Sequence, residues 1–449
     1  MPPDSESIRQ ALLQALPRDG ALCVAFSGGR DSTILMHALA GLRLQAGFRL
    51  RALHVNHGLQ PLALHWEAHC MDVARRLAVP CGLLRVVTRE GGSGLEAAAR
   101  DARYAALKEA LRPGEWLLTA HHADDQLETV LMHLLRGSGV SGLAGIPRDA
   151  PFGAGHLCRP LLGVPGEALA TYARSELEPG GSTWLTDPMN ADQAYDRGFI
   201  RHSLTPVLRR RFPAAAGAAA RSAALAAEAA GLLADLARGD AAAVLTGERL
   251  RLESLRQLDP ARQRNLVRYL ARERGWAVPP ERRLREGLGQ LLDAGPGKQP
   301  IMHWGGHEIR RFRGCLYLLD AAVPAAADGA SPALPWSGAP LPLGSVRGAL
   351  ALEPGAGAGL APAVLADGLE VAFRSGGERV RAGADRHHRT LKFLFQSRAV
   401  VPWMRCHVPL VFAGGRLAAV ADLWTADWAA AGPDQVGQAV VWSGHAPIQ

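Results

Sequence analysis

Six consecutive apolar residues at 21–26 run straight into Ser27-Gly28-Gly29-Arg30-Asp31-Ser32, and an apolar periodicity of helical spacing resumes at Thr33. No other segment constrains the chain so tightly. The apolar run reads as a buried strand and the stretch after it as a helix, so the residues between them must form the turn. Two adjacent glycines let that turn curl until successive N–H groups face one concavity, and the helix adds the positive end of its dipole. Such a nest holds phosphate. Ser27 and Ser32 add hydroxyl donors. Asp31 puts a carboxylate where phosphate would sit, which suits anion binding only if a cation such as Mg2+ lies between the two. The lysine-bearing GxxxxGK[ST] spacing is absent, so this is not a Walker loop. Ser27, Gly28, Gly29, Arg30, Asp31 and Ser32 are the candidate nucleotide-binding residues, and Asp31 is the candidate metal ligand.

The first two hundred residues repeat that alternation. Strands are expected at 21–26, 51–56, 82–87 and 116–120, and helices at 32–46, 62–78, 95–111 and 124–136. The rhythm predicts an α/β fold, a doubly wound parallel sheet with its site at the carboxyl ends of the strands. Beyond Pro213 come an alanine-rich helical stretch, two arginine-rich helices over 259–275 and 280–294, and a strand pair near 301–304 and 308–319. Residues 321–340, rich in alanine, proline and glycine, read as a linker. Short strands between glycine turns follow. The expected organisation is an α/β nucleotide-binding domain over 1–213, a helical and mixed domain over 214–320, the linker, and a small β-rich C-terminal domain over 341–449.

Charge is uneven. Residues 1–213 hold 23 basic and 21 acidic side chains, whereas 259–313 hold 12 against 6 and 371–416 hold 9 against 2. The net charge of +8 therefore arises mostly behind the phosphate turn, as expected if the rear of the chain grips a nucleic acid. The arginines at 262, 264, 268, 272, 274, 282, 283 and 285 read equally as RNA contacts or as a solvated helix face. Six scattered cysteines without a CxxC pair point to a reducing compartment and away from a zinc ribbon or iron–sulfur site. No apolar run reaches membrane-spanning length, and no signal peptide is apparent, so a cytoplasmic location is expected.

Chemistry-bearing residues recur at the predicted strand ends. His54 and His57 close the second strand. His65 and His69 stand one helical turn apart, but a zinc site needs a third ligand that the pattern does not supply. Glu96, Arg100 and Arg103 share a helix face. Their guanidinium forks suit oxyanions, and the plainer reading is a surface ion-pair stripe. His121-His-Ala-Asp124-Asp125-Gln-Leu-Glu128 follows the fourth strand, where acids also serve as ordinary helix caps. A glycine-dense loop at 136–147 and a polar cluster with Asp187, Asn190, Tyr195, Arg197 and Arg201 complete the set.

The turn at 27–32 resembles the PP-loop of N-type ATP pyrophosphatases, which cleave ATP between its α and β phosphates and adenylate an oxygen of their substrate. Taken in order, AFSGGRDS, HVNHGLQP, GLEAAARDARY, HHADDQLET, RGSGVSGLAGI, DPMNAD and YDRGFIR resemble the tRNA(Ile)-lysidine synthetases, as do residues 388–396 and 401–405 near the C-terminus. Two positions depart from that family: Arg30 replaces an apolar residue, and Gly198 replaces asparagine. The resemblance implies a ligase using ATP and Mg2+ that adenylates the C2 oxygen of the wobble cytidine in the CAU anticodon of tRNA(Ile). Free L-lysine then displaces AMP to give lysidine. Catalytic roles are implied for Asp31, Arg100, Arg103, His121, Asp125 and Glu128. Asp125 and Glu128, with Asp124, would hold the lysine ammonium, and Arg100 or Arg103 the adenylate and nearby RNA. A lysine amine of pKa near 10.4 is neutral in only about one molecule in 2,500 at pH 7, so its pocket must also accept a proton. Two readings stay open beside this one. A tRNA thiolase needs paired cysteines, which this chain does not space, and a non-catalytic RNA-binding relative would not need Asp31.

Overall fold

The structure, a computed structural model, describes residues 3–17, 20–58, 63–87, 95–186, 196–295, 297–320, 333–382 and 387–448. The chain forms two compact units, Met1–Leu233 and Ala234–Gln449.

In the first unit, α1 (Pro3–Ala15) precedes the alternation β1 (Ala21–Ala25), α2 (Arg30–Ala46), β2 (Arg49–Asn56), α3 (Ala63–Arg76), β3 (Cys81–Arg85), α4 (Leu95–Ala110), β4 (Trp116–Leu118) and α5 (Ala123–Leu135). A hairpin of β5 (Asp149–Phe152) and β6 (Gly155–Cys158) completes a six-stranded sheet in the order β3-β2-β1-β4-β6-β5. Five strands run parallel, and β5 alone is antiparallel, at the edge. Each parallel crossover carries a helix back over the sheet, so both faces are covered. β1 shows this in its own side chains: Leu22 and Val24 pack with Ile8, Leu12, Leu35 and Leu39, while Cys23 packs on the other face with Leu53, Leu107 and Leu117. These residues are almost fully buried, which is why the strand reads as one unbroken apolar run. Strand order reverses between β1 and β4, which are neighbours in the sheet although α2 to α4 separate them in the chain. The doubly wound parallel sheet expected from the sequence is present, with element ends within a few residues of expectation. α2 starts at Arg30, two residues earlier than expected, with Gly29 as its N-cap.

In the second unit, the arginine-rich helices Pro260–Glu273 and Glu281–Asp293 pack on a five-stranded antiparallel sheet. The segment expected as a single strand at 308–319 is a hairpin, His307–Phe312 against Cys315–Asp320. Its two-residue turn, Arg313-Gly314, has positive φ at both positions (45° and 75°), the conformation that matches the twist of paired strands. Arginine is not a turn signal, so the break was hidden. Of the expected linker, 321–332 lie outside the described residues, and Leu334–Trp336 pair as a strand with Leu369–Phe373. Beyond it, antiparallel sheets of five, three and two strands enclose a core around Phe395, Met404, Val411 and Trp442. The helix Ala215–Val244 spans residues of both units, so the alanine-rich stretch is longer than the composition suggested.

Candidate active site

Where a parallel sheet reverses its strand order, the loops at the carboxyl ends of the two central strands diverge and leave a crevice. Here those loops are 26–29 after β1 and 119–122 after β4. Gly28 holds φ at +79°, and a Cβ there would lie 2.7 Å from Cys70 Sγ and 2.9 Å from Leu185 Cδ1. Leu185 is close because its amide donates to the Gly28 carbonyl at 2.8 Å. The turn is braced from within: Ser27 Oγ and Ser32 Oγ are 3.0 Å apart, and Ser32 Oγ and Thr33 Oγ1 donate to the Gly29 carbonyl at 3.0 and 2.9 Å. Asp31 stands in the first turn of α2 and accepts from Arg30 Nε at 2.9 Å. The unusual Arg30 is thus a neighbour of the acidic group.

Across the crevice, His122 is the N-cap of α5. The Asp124 amide donates to His122 Nδ1 at 3.3 Å, and the His122 amide donates to Asp125 Oδ2 at 2.9 Å. That reciprocal cap turns the imidazole between three carboxylates: Nε2 lies 3.6 Å from both Asp31 Oδ2 and Asp125 Oδ2, and Nδ1 lies 3.7 Å from Asp124 Oδ2. Burial disfavours a charged ring, but the hydrogen bond to Asp31 and the charges of Asp125, Asp31 and Asp124 outweigh it, and the pKa rises above 6.5. Asp31 is held ionised in return. Burial pushes its carboxyl up, and His122 with Arg30 more than reverses this. His121 next door behaves oppositely, its pKa pushed down to about 4 by burial, with Arg159, Arg197 and Arg100 reinforcing the effect against Asp125.

The acidic block is not an open pocket. Glu128 is 2% exposed, and both its oxygens are taken: Arg201 Nε donates to Oε1 at 2.6 Å, Arg201 Nη2 to Oε2 at 2.9 Å and Arg197 Nε to Oε2 at 2.9 Å. Arg197 and Arg201 also each reach Asp125 Oδ1 at 3.0 Å. Arg209 meets Asp124 Oδ2 at 2.5 Å. Asp124 Oδ1 is the exception, a buried oxygen without a hydrogen-bond partner among the described residues. Gly166 makes room for this carboxylate, since a Cβ there would lie 2.1 Å from Asp124 Oδ2 and 3.3 Å from His122 Cε1. The loop at 136–147 is clamped to α5 by Gln126, which donates to the Ile146 carbonyl at 3.1 Å and accepts its amide at 2.7 Å.

The structure therefore brings Asp31, Asp124 and Asp125 around one imidazole, with Glu128 one helical turn beyond and His121 beside it. Arg100 and Arg103 stand on α4 with their guanidinium groups 5.5 and 5.7 Å from the Tyr104 ring centroid, and the ion pairs to the α5 acids come from other arginines. The Glu96 side chain and residues 187–195 lie outside the described residues. Sequence reasoning assigned no role to His122, Arg197, Arg201 or Arg209. A signal existed for two of them. Arg197 and Arg201 are four apart, on a helical turn that widens into a π turn at Ile200–Leu204, an irregularity frequent at functional sites.

Among the described residues no group of three or more His, Cys, Asp or Glu is placed to hold a metal ion, His65 and His69 included. No described helix is long and apolar enough to cross a membrane. In the second unit the arginine helices carry more internal pairing than charge counting suggested. Arg264, Arg268 and Arg285 converge on Glu281, Arg262 binds Asp240, and Arg282 binds Glu286. A cavity of about 520 Å3 in that unit, lined by Arg249, Arg274, Trp276 and Tyr317, contains none of the candidate site residues.

Residues 3–208 match the family model of the PP-loop domain, residues 250–317 that of the TilS substrate binding domain, and residues 369–442 that of the TilS substrate C-terminal domain. The tRNA(Ile)-lysidine synthase of Alkalilimnicola ehrlichii is 44% identical over 98% of this chain and 97% of its own. Those of Pseudomonas aeruginosa and Methylococcus capsulatus are 41% and 40% identical, over 97% and 94% of this chain and 97% and 95% of theirs.

Proposed function

The chain belongs to the tRNA(Ile)-lysidine synthase family, and from that premise we propose that it ligates L-lysine to C2 of the wobble cytidine in the CAU anticodon of tRNA(Ile). ATP is converted to AMP and diphosphate, and an adenylated tRNA is the intermediate. The observation that carries this reading is the crevice at the β1/β4 switch point, where a phosphate nest with an ionised Asp31 faces an acid-rich helix start. A cytoplasmic location follows from the substrate class.

Asp31, ionised and partly exposed beside the nest, suits a hard cation. It is therefore the residue assigned to Mg2+, which when bound would neutralise phosphate charge during AMP transfer. The backbone amides of 27–32 and the Ser27 and Ser32 hydroxyls receive the phosphates. His122 couples the two sides of the crevice, lying between Asp31, Asp124 and Asp125, whose charges raise its pKa. Arg100, whose charge reaches His121, is assigned to the adenylate and Arg103 to nearby RNA.

Lysine recognition follows from the same accounting. The oxygens of Asp125 and Glu128 are held by Arg197 and Arg201, so the ammonium can reach those carboxylates only when a guanidinium yields. Asp124 is the acid with spare accepting capacity. His121, neutral at physiological pH, is a hydrogen-bonding group there rather than a store for the lysine proton. The test is incorporation of labelled lysine into tRNA(Ile) bearing CAU, with ATP and Mg2+, beside the Asp31→Ala variant. Incorporation that disappears in the variant supports the reading. Diphosphate release without incorporation refutes lysine as the nucleophile.

A further inference from the structure

Beside the crevice the first unit contains a cavity of about 370 Å3. One wall is α1, which presents Ser7, Gln10 and Gln14. The opposite wall carries Arg148, Arg159 and Gly163. No acidic residue lines it. Arg159 is 6% exposed, and its Nη1 donates to the Pro147 carbonyl at 2.6 Å. Its Nε is buried with no hydrogen-bond partner, and among the described residues no carboxylate lies within ion-pair distance of it. A guanidinium keeps its proton at any physiological pH, so burying one without a counter-charge is costly, and it cannot escape the cost by neutralising. Among the described residues of this unit the other strongly buried charges have partners: Glu128 has Arg201, Glu67 has Arg85 and Glu115 has Arg51. Arg159 stands out.

We propose that this cavity is an oxyanion site in which Arg159 receives a phosphate group, with Arg148 at its mouth. The planar fork of a guanidinium matches phosphate, and the Gln14 side-chain amide on α1 supplies a further neutral donor. With two arginines and no carboxylate in the lining, the cavity suits an oxyanion rather than an ammonium group. The position suits a reaction that handles phosphates at the crevice. Arg159 directly follows β6, the neighbour of β4, so it lies at the same carboxyl edge of the sheet as residues 119–122. The wall it shares also supports the crevice, because the Val164 carbonyl accepts the Ala123 amide at 3.0 Å and Gly166 packs on Asp124.

Two sources supply such a group, an RNA backbone phosphate and free diphosphate, and two measurements on the full chain separate them. The RNA arm rests on the proposed function, and the diphosphate arm does not. With a non-hydrolysable ATP analogue saturating the turn at 27–32, diphosphate is titrated into wild type and Arg159→Gln. In parallel, tRNA affinity is measured across salt concentrations. If the occupant is diphosphate, wild type binds one equivalent and Arg159→Gln binds none. If it is RNA, the variant loses affinity about tenfold, and its slope of log Kd against log salt falls by about one. Gly163→Leu is the second variant. A Cβ at 163 meets no atom within 4 Å, so the substitution fills the cavity while leaving Arg159 in place, and it must reproduce the same loss. Wild type that binds no diphosphate, together with tRNA affinity and salt slope unchanged in both variants, overturns the proposal. Wild type that fails to bind tRNA at all refutes the proposed function and leaves the diphosphate arm to decide the pocket.

Discussion

Arg201→Met and Glu128→Gln, made singly and together, measure how strongly the arginine pairing holds the crevice. Two charge-assisted bonds join the pair, at 2.6 and 2.9 Å, and Glu128 is almost fully buried. Hydrogen bonds to charged groups contribute about 1.5–3 kcal/mol each, which bounds the pair at about 3–6 kcal/mol. Arg201 is 37% exposed, so solvent screening lowers its worth to about 2–3 kcal/mol, between the usual values for surface and buried pairs. The assay is urea unfolding of the full chain and its three variants, following the transition of the first unit, with the coupling energy taken from the double-mutant cycle. For a unit of this size the matching loss in Tm of Arg201→Met is about 4–12 °C. Arg197 still reaches both acids in that variant, so the crevice keeps one guanidinium and the unit folds. A coupling energy below about 0.5 kcal/mol would refute the reasoning, since it would mean that the pair behaves as a surface contact and that the acids are free for another cation.

Four further outcomes are expected. His121 has a folded pKa of about 4 against an ordinary 6.5, so as pH falls the unfolded chain takes the proton first. Wild type should lose about 2 kcal/mol between about pH 7 and pH 4.5 on this account, and His121→Gln should flatten that part of the pH–stability curve. His122 acts in the opposite sense. Its raised pKa contributes stability that is complete below 6.5 and is lost as pH rises through the folded value, so His122→Asn should remove a decline on the alkaline side of 6.5. Gly28→Ala places a methyl against Cys70 Sγ and Leu185 Cδ1 at a left-handed backbone position. It should cost about 1–3 kcal/mol in unfolding experiments and weaken ATP binding measured by calorimetry. Gly166→Ala should displace Asp124 from Arg209, reducing tRNA-dependent diphosphate release while leaving tRNA affinity unchanged.

Much of this protein follows from short-range signals. The apolar run before residues 27–32, the two glycines and the resumed helical period specify a strand, a phosphate nest and a helix, because each depends only on local backbone freedom and side-chain period. The same holds for the start of α5, where acids three residues apart announce a helix whether or not they catalyse. Tertiary structure decided what those acids face. Only the sheet order, with β4 beside β1, carries His122 to within 3.6 Å of Asp31. Only the return of the chain 69 to 76 residues later brings Arg197 and Arg201 onto Asp125 and Glu128, converting an apparently open acidic pocket into a neutralised one. Charge pairing at that separation leaves no periodicity to read: it is set by which strand neighbours which, and the sequence records the two partners without recording that they meet.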